Sequence, residues 1–449
     1  MSINVAKLEL AMVQKINNAS SEYELLTYQK VLEQLRTGSV NTVRTFSSLP
    51  TYSENIGHLY FVEDEDTVYW ANASVGWVTL QSQSLSILYQ WGCNNVRQQL
   101  CNYSITPTSS PAAYYDEYNW LDIKSDSGSF GAIKTYGTLW SWGCALCGSM
   151  GNECLTTICY SSPVQEITSS VNWCHITVSK VGRNAIKTDG TLWSWGEERM
   201  LGVGDSLKRS SPTQEFCSAT NWCEVSTRTA ISASGAASAA IKTDGTLWVW
   251  GAVQNSAAWN FPIYDNITKS PVQEVSLSTN WSKLDSSLAV NSGLKSDGTI
   301  WGWGYGATGN LGNNSTSISY ASSPIQEITS SIDWCDLNHS SGIKIDGTLW
   351  VWGYEGTGRG GYNTTANQSS PVQEITSSTN WTCFVRDFST SRGIKTDGTL
   401  WAWGSNACGN LGDDTLISRS SPVQEITSST NWCASNPGIT SSAIQYVTL

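Results

Sequence analysis

Residues 185–196 read Ala185-Ile-Lys-Thr-Asp-Gly-Thr-Leu-Trp-Ser-Trp-Gly196. Two short apolar runs flank Asp189-Gly190, which is a strong β-hairpin signal because a two-residue type I′ turn needs positive φ at both central positions. The stretch is one copy of a repeat. Its Trp-x-Trp-Gly step recurs at Trp140, Trp193, Trp248, Trp301, Trp350 and Trp401, with a weaker version at Tyr89-Gln-Trp-Gly92. Downstream of each step comes a variable loop, then Ser-Ser-Pro-x-Gln-Glu or a close variant. An Asn-Trp pair follows, ending at Trp120, Trp173, Trp222, Trp281, Trp334 (here Asp-Trp), Trp381 and Trp432. A period of about 50 residues with several short strands per copy is that of propeller blades.

The copies close on themselves. The apolar-Lys element before the turn occurs at Ile133, Ile186, Ile241, Leu294, Ile343 and Ile394, and a seventh version, Ser442-Ala-Ile-Gln445, lies at the C-terminal end. The strand that should precede Leu85–Gly92 is thus supplied by the last residues, so the two ends of the array share one blade and need no capping repeats. The expected fold is mainly β: a seven-bladed propeller over 85–449, closed by the N- and C-terminal strands of the repeat array. Twenty of the 23 tryptophans fall in the two signatures, where they should pack blade on blade. Each fully buried indole contributes roughly 4–6 kcal/mol gross from 150–250 Å² of apolar burial. Proline in Ser-Ser-Pro lacks an amide hydrogen and belongs at an edge or the start of a strand.

These Trp-x-Trp-Gly, Asn-x-Leu-Gly and Ser-Pro spacings resemble the regulator-of-chromosome-condensation repeat family. The resemblance implies the seven-bladed propeller. It implies little about function, because the family includes a chromatin-bound guanine-nucleotide exchange factor and many unrelated binding modules.

The first 84 residues have a different character. Residues 1–38 form a helical attachment or oligomerisation segment in this reading. Val5, Leu8, Met12 and Ile16 give one apolar stripe, and Leu25, Tyr28, Leu32 and Leu35 give a second after a capping box at Ser21-Glu-Tyr-Glu24. Residues 39–84 read as a small β module, with strands at Leu59–Val62, Thr67–Trp70 and Gly76–Leu80. The order Gly-x-Leu-Tyr-Phe-Val, Val-Tyr-Trp-Ala-Asn, Gly-Trp-Val resembles linker modules of bacteriophage tail and head-fibre proteins. That resemblance implies a virion structural protein that displays the propeller as a host-surface adhesion head. Other virion proteins would bind the N-terminus, and a glycan or protein of the host would bind the propeller loops. The expected location is then the virion, assembled in the host cytoplasm, and the apolar stripes would make a homo-oligomer, a trimer by preference. The alternative is a cytoplasmic, intracellular protein-binding scaffold or exchange-factor-like regulator.

Composition narrows the classes. A net charge of −12 without Lys/Arg runs argues against nucleic acid. There is no secretory signal pattern and no apolar stretch of membrane-spanning length. The three histidines, His58, His175 and His339, stand in unrelated positions, and no nucleophile, acid and base occur together, so no enzymatic activity, cofactor or metal is expected. Gly412-Asp-Asp-Thr415 and Gly202-Val-Gly-Asp205 read as loop turns rather than calcium loops. Cys174, Cys223, Cys335 and Cys433 follow the Asn-Trp signature at a slot that holds Leu121, Ser282 and Thr382 in other copies. They read as packing residues, and the thirteen cysteines as mostly free thiols, with a local disulfide or a zinc site as the alternatives for the loop of Cys144, Cys147, Cys154 and Cys159. The loops after Trp-x-Trp-Gly vary most and are the expected working face. Their aromatics, Trp259, Phe261, Tyr305, Tyr320, Tyr354 and Tyr362, are the candidate ligand or partner contacts.

Overall fold

The fold is taken from a computed structural model. It describes residues 41–43, 59–62, 67–72, 76–79, 84–92, 108–126, 128–154, 158–229, 236–252, 267–274, 276–286, 290–318, 320–387, 389–436 and 440–448. The two proposed N-terminal helices and their apolar stripes lie outside these residues, as do Trp259 and Phe261.

The chain divides into two compact units, residues 1–85 with 446–449, and residues 86–445. In the first, Asn41–Val43, Leu59–Val62, Thr67–Asn72 and Gly76–Thr79 form one sheet in sequence order. Asn41–Val43 runs parallel to Leu59–Val62, and the remaining neighbours are antiparallel, with Leu59 opposite Trp70 and Ala71 opposite Trp77.

Seven four-stranded sheets build the propeller. The sheet of Trp173–Val178, Gly182–Lys187, Leu192–Gly196 and Arg209–Gln214 is representative. The strand that begins with the Asn-Trp tryptophan is innermost, and the Ser-Ser-Pro strand is outermost. Pro212 falls where the register slips between Ser194 and Gly196, so it sits on an edge strand at a bulge, where a missing donor is tolerated. The seventh sheet joins Trp432–Asn436, Thr440–Thr448, Ser84–Gly92 and Thr108–Tyr118 in that order. The C-terminal strand therefore pairs with the first strand of the array, as the repeat count requires.

The repeat copies that carry the full motif are locked by carboxylate, ammonium and indole groups whose roles the motif alone did not reveal. The Gln-Glu carboxylate is buried. Glu374 accepts hydrogen bonds from Thr376 N at 2.7 Å, Thr376 Oγ1 at 2.7 Å, Ser378 N at 3.0 Å and Trp381 Nε1 at 3.2 Å. Glu166, Glu215, Glu274, Glu327 and Glu425 take the same indole bond in their copies. A buried charge is tolerable only when so fully satisfied. The Lys of the apolar-Lys element spans two indoles: Lys187 Nζ lies 4.6 Å from the Trp173 ring and 4.4 Å from that of Trp193, a cation–π clamp.

The turn differs from expectation. Gly190 N donates to Lys187 O at 2.8 Å, Lys187 N donates to Thr191 O at 3.0 Å, and Gly190, not Asp189, has positive φ, at 76°. Thr188-Asp189-Gly190 is thus a three-residue loop, a type I turn closed by a left-handed glycine, rather than a two-residue I′ turn. Asp189 leaves its carboxylate to accept from Thr191 N and Oγ1 at 3.0 and 2.6 Å. Glycine is needed for a further reason, since a Cβ at Gly190 would sit 2.2 Å from Thr220 O of the connector to the next blade.

Between blades, the second Trp of Trp-x-Trp reaches back to the loop of the preceding copy. Trp195 Nε1 donates to Ser149 O at 3.0 Å, Trp250 to Met200 O at 2.8 Å, Trp352 to Asn310 O at 3.0 Å and Trp403 to Arg359 O at 2.8 Å. Its ring packs with the Asn-Trp indole of its own blade and with the Ile and Leu of the blade before, as in the cluster of Ile133, Leu139, Trp173, Ile176 and Trp195.

Candidate functional site

Three regions could carry function: the ring axis, the variable loops, and the face that bears the Asp-Gly turns.

The axis was not read from the sequence. The innermost strands lie side by side around it, and the residue two places after each Asn-Trp tryptophan turns toward it. These are Asp122, His175, Glu224, Lys283, Asp336 and Cys383 in the first six blades. Lys283 Nζ meets Asp336 Oδ1 at 2.7 Å and Lys124 Nζ meets Asp122 Oδ1 at 3.3 Å. His175 Nε2 lies 3.2 Å from Val225 O and 3.9 Å from Glu224 Oε1. These groups feel one another across the ring. Burial raises the Glu224 carboxyl above the ordinary range, against the pull of His175, Lys124 and Lys283. Burial, helped by Asp336, lifts the Cys383 thiol to about 11, which leaves it unreactive at neutral pH. Both lysines are already paired, so the ring behaves as a self-satisfied polar lining that ties neighbouring inner strands together. A second tier repeats the device, with Asp285 Oδ2 accepting from His339 N at 2.7 Å and meeting His339 Nδ1.

The loops hold fewer free aromatics than their composition implies. Tyr354 and Tyr362 belong to a buried ionic cluster. Arg386 Nη2 donates to Glu355 Oε1 at 2.8 Å, with both side chains almost wholly inaccessible, and Arg359 Nε donates to Tyr354 O at 2.8 Å. Burial and the Glu355 carboxylate push the Tyr362 hydroxyl well above the phenol range, and its ring packs against the core cluster that contains Trp381, Phe384 and Trp403. Tyr305 and Tyr320 form an edge-on pair with centroids 5.4 Å apart, and Tyr320 is exposed. The acidic turns are blade-to-blade latches. Asp414 N donates to Ser109 O at 3.0 Å and Gly204 N to Lys269 O at 2.8 Å, while Asp413 Oδ1 accepts from Asn406 Nδ2 at 3.0 Å. Among the described residues no group of three or more His, Cys, Asp or Glu is placed to hold a metal.

The cysteines depart from expectation in one way. The slot after Asn-Trp is a hydrogen-bonding slot. Cys174 Sγ donates to Ile186 O at 3.3 Å, Cys335 Sγ to Ile343 O at 3.4 Å, Ser282 Oγ to Leu294 O at 3.0 Å and Thr382 Oγ1 to Ile394 O at 3.0 Å. Cys, Ser and Thr share a donor, which explains their interchange better than packing does; Leu121 breaks the rule. Cys159 and Cys408 are disulfide-bonded, whereas Cys147, Cys154, Cys174, Cys217, Cys223, Cys335, Cys383 and Cys433 remain as thiols.

The Asp-Gly face collects most of the exposed large apolar side chains. Two sectors stand out because they replace polar repeat residues. In the first, Tyr136 (51% exposed) stands where other turns have Asp, Leu121 (45%) where they have Cys, Ser or Thr, and Val171 (68%) where most have Thr. These positions adjoin: Trp173 N donates to Gly137 O at 2.9 Å, Thr135 N to Asn119 O at 2.7 Å, and a Cβ on Gly137 would lie 2.3 Å from Val171 O. In the second, Ile345 (74%) and Ile332 (72%) replace Thr or Ser, and Ile345 N donates to Asp333 O at 2.8 Å. The departures were legible as breaks in the repeat, but only the blade geometry brings them to one face.

No protein-family model and no curated protein matches this chain. Solved propellers do. Yeast RCC1 (Prp20), in its complex with Kap60, is 13% identical over 82% of this chain and 90% of that one, with a TM-score of 0.66. Prp20p of Saccharomyces cerevisiae, in a structure reported with its binding to Gsp1p and histones, is also 13% identical and covers 82% of this chain and 93% of its own, with a TM-score of 0.65. Human WBSCR16 is 12% identical over 82% of this chain and 99% of its own, with a TM-score of 0.62. At these identities the likeness is one of fold.

Proposed function

We propose that this chain is a non-enzymatic propeller that binds a protein partner through its Asp-Gly face. The observation that carries the reading is the pair of apolar sectors at Tyr136/Val171 and Ile332/Ile345. Neighbouring exposed apolar side chains at positions where most sibling copies are polar make a contiguous patch, the kind of surface that marks a protein contact. Much of the remaining charge is used internally: the blade Glu and Lys bind indoles and connector groups, Lys283 pairs with Asp336 on the axis, and Glu355 pairs with Arg386.

Of the two readings open to the sequence, the comparisons favour the protein-binding scaffold over the virion adhesion head. The yeast protein of this fold binds Kap60, and its binding to Gsp1p and histones has been characterised. The cell interior is the location that goes with this reading. No described helix is long and apolar enough to cross a membrane. The virion reading rests mainly on the order of the 46–80 segment, and Tyr305 with Tyr320 is among the loop contacts it would use.

The test is comparative capture from cells that express the protein. Wild type is set against a variant restored to repeat consensus, Tyr136→Asp, Val171→Thr, Ile332→Thr and Ile345→Thr, and against Tyr320→Ser. Partners lost from the consensus variant and kept by Tyr320→Ser are the expected result. An identical set from all three, or loss with Tyr320→Ser alone, would sink the proposal.

A further inference from the structure

The same face carries charge in a fixed pattern, and the pattern names the chemistry of the partner. The inference rests on the docking reading above. In each full blade the ammonium of the apolar-Lys element is withdrawn between two indoles, and at Lys187, Lys295, Lys344 and Lys395 it is also bonded to a connector hydroxyl. Lys187 Nζ donates to Ser170 Oγ at 3.0 Å and Lys395 Nζ to Ser378 Oγ at 2.9 Å. The turn carboxylate stands in front of it. Asp189, Asp244, Asp297, Asp346 and Asp397 are all exposed. Hydrogen bonds from the following Thr hydroxyl and N–H hold Asp189, Asp244, Asp346 and Asp397 below the usual carboxylate range, so they are ionised throughout the physiological range. Five turns give the face a partial crown of carboxylates with its cations covered; in the first blade the acid is replaced by the Tyr136 ring, and the closing blade has no such turn.

We propose that the occupant is a Lys/Arg-rich protein segment carrying an aliphatic anchor. The anchor seats on Tyr136, Val171 and Leu121, and its flanking cations face the Asp189 and Asp244 turns of the next two blades. Aromatic anchors surrounded by steering charges give specificity at the centre and rate at the rim. Acidic segments would be repelled by the crown. Basic segments without an apolar residue would leave the exposed ring uncovered.

Three labelled peptides test this against the full chain by fluorescence anisotropy: repeats of Lys-Leu-Lys-Gly, of Glu-Leu-Glu-Gly and of Lys-Ser-Lys-Gly. The Lys-Leu peptide should bind at least about tenfold more tightly than either control, a gap of ~1.4 kcal/mol. Its affinity should fall as salt shortens the screening length from about 14 to about 7 Å. Asp189→Asn with Asp244→Asn should weaken it and flatten the salt dependence. Tyr136→Asp with Val171→Thr should abolish it even though it adds a carboxylate, and both residues are native to sibling blades, so the variant keeps the fold. Equal binding of the Lys-Ser peptide, or binding that survives Tyr136→Asp/Val171→Thr, overturns the proposal. Preference for the Glu-Leu peptide, lost in that variant, would overturn the basic partner while leaving the docking face intact. Failure of all three peptides to bind also overturns it, with the docking face then judged by the capture experiment.

Discussion

Trp91 Nε1 donates to the carbonyl oxygen of Asn410 at 2.9 Å, across 319 positions of sequence. The bond is the same one that Trp195, Trp250, Trp352 and Trp403 make to the preceding copy, so the seam where the chain meets itself is built like those four. Ser109 Oγ adds a bond to Asp414 Oδ1 at 2.9 Å, and Gly412 lies so close to Trp91 that a Cβ there would be 2.9 Å from Nε1. Trp91→Phe keeps the aromatic body and removes the donor, and should cost about 1–3 kcal/mol, matching Trp403→Phe. Removing 441–449 takes out the strand beside Ser84–Gly92 and should leave the chain insoluble. A truncated protein with an unchanged melting temperature would contradict the closure.

The carboxylate under each connector is the second strong point. Glu374→Ala would orphan Trp381 Nε1 and two backbone N–H groups, so a loss of roughly 2–4 kcal/mol in urea denaturation is expected. Asp397→Asn keeps its acceptor oxygen and faces solvent, so a change within about 0.5 kcal/mol is expected there. Equal effects of the two would show that the buried carboxylate is not the tie it is taken for.

How much of this was legible follows from what a repeat can and cannot say. Period, blade number and the shared closing blade were readable because Asp-Gly, Trp-x-Trp-Gly and Asn-Trp recur at fixed offsets. The loop type was not, because a three-residue turn with one left-handed glycine and a two-residue I′ turn present the same Asp-Gly dipeptide. The Cys174-type slot looked apolar because cysteine is ambiguous between packing and donation, although Ser282 and Thr382 already pointed to a donor. The axial ring was hidden because Asp122, His175, Glu224, Lys283 and Asp336 share a position but have no common charge or residue type. Tyr354 and Tyr362 looked available because sequence does not show a buried Glu355–Arg386 pair drawing their loop inward.

Glu224 gives the axis a pH signature. Its carboxyl is raised in the fold by burial, so the fold favours the protonated form. The cost of ionising it is present at neutral pH and is relieved as pH falls from the raised value toward the unfolded one of about 4.3. Glu224→Gln should therefore be at least as stable as wild type at pH 7 and should lose the relative gain wild type shows over that window. Urea midpoints from pH 4 to 8 read this directly. A Glu224→Gln protein less stable at pH 7 by more than about 1 kcal/mol would mean that pairing with His175, Lys124 and Lys283 outweighs desolvation.

Ten of the thirteen cysteines divide into two sets. Alkylation of the denatured, unreduced protein should label Cys147, Cys154, Cys174, Cys217, Cys223, Cys335, Cys383 and Cys433 and spare Cys159 and Cys408, both of which become reactive after reduction. Peptide mass mapping distinguishes the two sets. Labelling of Cys159 without reductant would contradict the bonded assignment.

The central claim, that the Asp-Gly face is where a partner docks, is tested most directly by site-specific photo-cross-linking in cells. A photoreactive residue is placed at Val171, at Ile345 or, on the loop side, at Tyr320. Adducts to the same protein from Val171 or Ile345 but not from Tyr320 are the predicted result. Adducts from Tyr320 alone would contradict the account and return function to the variable loops.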